Sequence, residues 1–112
     1  MDARRAFFAD MHNMLDIVGH VLTAGDVERV RFGIDIARTS PEIQRRVADQ
    51  LRVHIKPALE REDFAITEEL INAVIPTSKP LKVDFARVDA AMTARARSCL
   101  ARMLGYCEEI CA

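Results

Sequence analysis

Tryptophan is absent, tyrosine occurs once and lysine three times, and glycine and proline number four each among 112 residues. Each scarcity removes a class of protein. With few aromatics and an apolar half dominated by Ala, Val, Leu, Ile and Met, a sheet of aromatic and β-branched strands is disfavoured and helices are favoured. Few Gly and Pro residues, beside 50% hydrophobic and 29% charged positions, exclude a collagenous, low-complexity or disordered chain. Charge of one sign is also lacking. Sixteen basic and seventeen acidic side chains leave a formal net charge of -1, so no whole-molecule electrostatic footprint for nucleic acid is present. No unbroken apolar run reaches the ~7 to 15 residues of a secretory signal core or the ~20 of a membrane span. The early apolar stretch is interrupted by Asp10, His12, Asn13 and Asp16. Cys99, Cys107 and Cys111 crowd into the C-terminal end, whereas disulfide scaffolds spread their cysteines in pairs. Free thiols and a cytoplasmic location are expected.

What is present is helical rhythm on a length that suits one domain. Phe7, Met11, Met14, Val18 and Val21 recur every three or four positions and predict a first helix from about Ala3 to Leu22. Thr23 or Asp26 can cap a second helix, whose buried side is Val27, Val30, Ile34 and Ala37. Ser40-Pro41-Glu42 combines a capping hydroxyl, a proline suited to the first helical position and an early carboxylate, so a third helix starts there. Ile43, Val47, Leu51 and Ile55 form its apolar stripe, and Pro57 predicts that it ends or kinks at Lys56. Thr67, flanked by Ile66 and Ile71 at staple spacing, caps a short fourth helix reaching Val74 or Ile75. A loop at Pro76-Thr77-Ser78-Lys79-Pro80 follows. Asp84, between Val83 and Val88, then predicts the start of a last helix running to Ile110, roughly 27 residues or about 40 Å at ~1.5 Å per residue. The fold class is therefore all-α, a bundle of four to five helices with a long C-terminal helix.

The apolar spacing of the last helix does not hold a strict heptad, which from Phe85 would place Arg95 and Arg102 in its seam. A compact domain of this size has a diameter in the mid-30s of ångströms, judged from a radius of gyration near ~13 Å. A helix of about 40 Å would protrude from it, and homodimerisation is expected on that ground. Five Met and thirteen Arg fit the same picture, since both types are enriched at protein interfaces.

Reactive chemistry finds little support. His12, His20 and His54 accompany the cysteines, but zinc wants four ligands and commonly a close cysteine pair. Cys107 and Cys111 sit at a helix C-terminus beside Glu108 and Glu109, where dipole and charge oppose a thiolate. No Gly-x-Ser-x-Gly, His-Glu-x-x-His or phosphate-cradling glycine loop occurs. No catalytic residue, metal or cofactor is assigned. A DNA reader would lie on helices two and three, where Arg29, Arg31, Arg38, Arg45, Arg46 and Arg52 flank a tight turn in helix-turn-helix fashion. Nine positive and eight negative residues through position 56 leave that half near neutral, the mark of a solvated, salt-bridged face.

Protein-protein recognition is the reading that survives. One of the adjacent Phe7 and Phe8 is expected to turn outward, and Phe8 is assigned to the interface. On the last helix Arg95 and Arg102 lie beside Met92, Cys99, Met103 and Tyr106, a pattern with an apolar centre and a cationic edge of the kind that can anchor a partner. In size and helical pattern the chain looks like small antiactivators, which bind a transcription factor and block its dimerisation or DNA contact. That likeness is one of general shape and carries over no functional residue. It implies a protein partner such as a transcription factor, with adaptor or chaperone as related roles.

Overall fold

The computed structural model describes residues 2–74 and 79–112. Among these it is all-α: α1 Ala3–Val18, α2 Ala24–Arg38, α3 Pro41–Glu60, α4 Glu68–Val74 and α5 Ala90–Ile110, with 3-10 turns at Gly19–Val21 and Phe85–Arg87. No helix of the described residues is long and apolar enough to cross a membrane.

Local chemistry accounts for most helix starts. The side chain of Asp2 accepts from the Arg4 amide, Thr23 from Asp26, Ser40 from Ile43 and Thr67 from Leu70. Each bond satisfies one of the four amides that an α-helix leaves without an internal partner. Thr23, and not Asp26, is thus the cap of α2. At the other end of α2, the Gln44 side-chain amide donates to the Arg38 carbonyl at 2.8 Å, so α3 closes the helix that precedes it.

α5 lies between α1 and α3 and supplies the axis of the core. Met92, Ala96, Cys99, Leu100, Met103, Cys107 and Ile110 are buried along it. α1 contributes Phe7, Met11, Met14, Leu15 and Val18, and α3 contributes Ala48, Leu51 and Ile55. α4 covers α3 with Leu70, Ile71 and Val74, after Ile66 has already entered the core ahead of it.

Four expectations change. The last helix begins at Ala90, not directly after Asp84, and its cap is Asp89, which accepts from the Met92 amide at 2.7 Å. Asp84 makes no side-chain cap bond. Its amide instead donates to the Val21 carbonyl at 2.9 Å, and Leu81, fully buried, is held through both backbone groups by the Asn72 side chain. These ties fix residues 81 to 84 against the ends of α1 and α4, so the chain turns once more before it can enter α5. The helix has 21 residues, hence about 32 Å, in a molecule of 37 × 33 × 22 Å with a radius of gyration of 13.0 Å. It does not protrude, and the geometric ground for a homodimer disappears.

Of the end or kink expected at Lys56, the end does not occur, since α3 continues through Pro57 to Glu60. The carbonyl deprived of a donor belongs to Val53, four residues earlier, and both residues are exposed, so water can replace the missing bond. The helix end is secured from outside, because the Arg97 guanidinium donates to the carbonyls of Leu59 and Arg61 and lies 5.5 Å from the Phe64 ring centre. Finally, Phe7 and Phe8 are both buried, in edge-to-face contact with centroids 5.3 Å apart. Neither turns outward, because α1 is covered on two sides, by α5 and α2. Of the expected central loop, Lys79 and Pro80 are exposed, and Pro76, Thr77 and Ser78, like Ile75, lie outside the described residues.

Candidate protein-binding surface

The interface residues named from sequence separate into two groups. Phe8, Met92, Cys99 and Met103 are interior, and Tyr106 is half-buried against the core. They hold α5 and its neighbours together and present no apolar centre to a partner. Arg95 and Arg102 are exposed and line one groove between α1 and α5, together with Asn13, Asp16 and Ser98.

Arg102 is already engaged. Its Nε donates to Asp10 Oδ2 at 3.2 Å and its Nη2 to Asp10 Oδ1 at 3.0 Å, a two-pronged bond to a carboxylate only 5% exposed. Asn13 Nδ2 donates to the same carboxylate at 3.0 Å, and the Cys99 thiol donates to the Asp10 carbonyl at 3.3 Å. Burial pushes the Asp10 carboxyl upward, but the hydrogen bonds from Arg102 and Asn13 and the guanidinium charge outweigh it, and the pKa falls below the ordinary 3.8. Asp10 was not singled out in the sequence. Its signal is a lone carboxylate three residues from Phe7 and four from Met14, on the apolar stripe of α1.

The same surroundings silence the thiols. Burial first, and then the Asp10 charge, push Cys99 up to about 11. Burial, followed by Cys111 and Glu108, pushes Cys107 up to about 12. Both stay protonated near neutrality, so neither offers a nucleophilic thiolate. Among the described residues no group of three or more His, Cys, Asp or Glu side chains is placed to hold a metal ion.

The outer face of α2 differs from this interior. Phe32 is 67% exposed and Ile36, one turn later, 46%. Val30, Ile34 and Ala37 supply the buried side of α2, and the exposed pair lies outside it. Glu28, Arg31 and Asp35 flank the pair with charge along one side of the helix. Two further exposed apolar residues, Val53 on α3 and Phe85 in the 3-10 turn, stand on other elements.

Helices α2 and α3 do meet across the short Thr39-Ser40 connection that a helix-turn-helix would need. Their cations are largely matched on their own helices: Arg29 pairs with Asp26, Arg31 with Glu28, Arg46 with Glu42 and Arg52 with Asp49. Arg29 holds the Asp26 carboxyl below its ordinary value. Such pairs lower the positive potential that a phosphate backbone would meet.

Comparison with protein-family models, curated proteins and solved structures gives no match.

Proposed function

We propose that this chain is a non-enzymatic protein-recognition module, a small cytoplasmic regulator that docks on one protein partner through the outer face of α2. The observation that carries the reading is the exposed Phe32–Ile36 pair, displayed on a capped helix whose other side is anchored in the core. Isolated apolar residues on a surface need no explanation, but a phenylalanine two-thirds exposed and backed one turn later by isoleucine forms an anchor. Covering a side chain of this size is worth roughly 1.5 to 3 kcal/mol. Charged residues beside an apolar centre match the general build of a hot spot and its rim. Repression of a transcription factor by occupying its surface is the form of regulation that the size and helical build suit best.

A partner different from the chain itself is favoured over a second copy. Arg38, near the end of the same helix, borders a run of further arginines on α1 and α3. With the geometric ground for a homodimer gone, that positive surface beside Phe32 is better matched by a partner of complementary charge. Recognition of DNA by α2 and α3 is the weaker reading because so many of their cations are matched locally.

The test is affinity capture, identification of the captured protein, and titration of that purified protein against wild type and Phe32→Asp. A one-to-one complex that weakens by at least about 2 kcal/mol in the variant is expected. Equal affinity of variant and wild type would overturn the reading, as would retention of a DNA duplex in place of any protein.

A further inference from the structure

Thirteen arginines are spread along the sequence, but six of them line two adjoining grooves at one side of the molecule. The first groove, about 410 Å³, is bordered by Arg4, Arg5 and Arg38 together with His12. The second, about 590 Å³, is bordered by Arg4, Arg45, Arg46 and Arg52. Arg4 belongs to both, and its guanidinium donates to Gln44 Oε1 at 2.7 Å, forming the divide between them. Three carboxylates share these walls, Asp2, Glu42 and Asp49. The tract therefore carries a formal charge of +3 on a chain whose total is -1.

Pairing within the tract is incomplete. Arg46 and Arg52 face Glu42 and Asp49, and Asp2 is occupied with the Arg4 amide. Arg5, Arg38 and Arg45 have no carboxylate within ion-pair distance among the described residues, and the partner of Arg4 is neutral. The helix ends at this place are already capped by Asp2 and Ser40, so an incoming anion would be held by guanidinium groups and not by free amides. Guanidinium presents a planar fork that matches a carboxylate with two hydrogen bonds.

We propose that the Arg4–Arg5–Arg38–Arg45 tract is a binding site for an acidic segment of a protein. The inference rests on the protein-recognition reading for the nature of the ligand, and it adds the partner's chemistry. Asp35 connects the two surfaces: it precedes Ile36 in α2, and its Oδ1 lies 4.0 Å from Nε2 of His12 on the wall of the first groove. A partner that covers Phe32 and Ile36 and continues past Asp35 meets the arginines next. Glu42 and Asp49, set among those arginines, favour a peptide over nucleic acid. Duplex DNA carries a charge every ~1.7 Å along its axis and would set phosphates against both carboxylates, whereas a peptide can place its acidic residues at intervals and leave neutral ones between.

The experiment is fluorescence anisotropy with a labelled poly-glutamate peptide and a labelled mixed-sequence DNA duplex of equal charge. The proteins are wild type, Arg5→Glu/Arg45→Glu, Arg87→Glu and Phe32→Asp. Arg5 and Arg45 are exposed, so their replacement leaves the core intact. Wild type should bind poly-glutamate at low ionic strength and lose it as salt rises. The double variant should bind at least about tenfold more weakly. Arg87→Glu, in the 3-10 turn, should stay within about twofold of wild type, and so should Phe32→Asp.

No poly-glutamate binding at low salt would overturn the proposal. Equal losses per reversed charge in the double variant and Arg87→Glu would do so too, by reducing the effect to net charge. Tighter binding of the duplex than of the peptide would make the tract a nucleic-acid site instead. The two readings fail separately: Phe32→Asp tests the α2 anchor with the captured partner, while poly-glutamate reports the arginines with no contribution from Phe32.

Discussion

The α1–α5 seam and the outer surface of α1, α2 and α3 treat the same residue types in opposite ways. In the seam, Arg102 meets a carboxylate that is almost wholly buried, Cys99 donates to a carbonyl, and the aromatic pair Phe7 and Phe8 is covered. Among the described residues no buried side-chain nitrogen or oxygen lacks a hydrogen-bond partner. On the outer surface, Arg5, Arg38 and Arg45 have no carboxylate within ion-pair distance among the described residues, and Phe32 stands in water. Removed from water, an unmatched polar group costs about 1 to 3 kcal/mol, so the interior has to resolve every one. At the surface water meets that need, and the same groups remain available to a partner.

The contrast can be broken most strongly at Phe7, fully buried where α1 meets its neighbours. Phe7→Ala should destabilise the fold by about 3 to 5 kcal/mol, read as a lower midpoint in urea unfolding followed by circular dichroism. A middle effect is expected at the charged part of the seam. Arg102→Ala leaves the Asp10 carboxylate with Asn13 and the long contact from the Cys99 thiol, and should cost about 1 to 3 kcal/mol. The pH dependence follows from the lowered pKa of Asp10. Its stabilising contribution is complete above the unfolded value of about 4, and it declines as pH falls through the lower folded value. Unfolding curves between neutral pH and pH 2 should therefore show an acid-sensitive component in wild type that shrinks in Arg102→Ala. The smallest effect is expected outside: Phe32→Asp and Arg45→Glu should each shift stability by no more than about 0.5 kcal/mol. A loss of stability at Phe32 comparable to that at Arg102 would remove the distinction between the two regions.

Helix identity was legible because its causes are short in range. Thr23, Ser40 and Thr67 act on amides three residues away, and the stripe from Phe7 to Val18 needs only the helical period. The beginning of α5 was misplaced because Asp84 and Asp89 are both competent caps. The choice between them depends on Asn72 and Val21, which hold the preceding segment. Of the two outcomes expected at Pro57, an end is avoided because solvent can satisfy Val53 and Arg97 reaches the last carbonyls from α5.

The candidate site was the least legible part. Met92, Cys99 and Met103 repeat at the right intervals to form a face, but periodicity does not say whether that face meets another helix or a partner. Met92, Cys99 and Met103 of the α5 face are core while Arg95 and Arg102 are exposed, and the exposed apolar pair Phe32 and Ile36 lies on α2.

From composition and local pattern alone follow the helical class, the caps of α3 and α4 and the choice of Thr23 or Asp26 at the start of α2, because the forces behind them act within about one helical turn. Packing between helices settled the rest. Asp10 finds Arg102 across 92 positions, and Arg4, Arg38 and Arg45 converge from three helices. Which distant groups meet depends on how the buried faces fit against each other, and the order of residues along a chain does not encode that fit pair by pair.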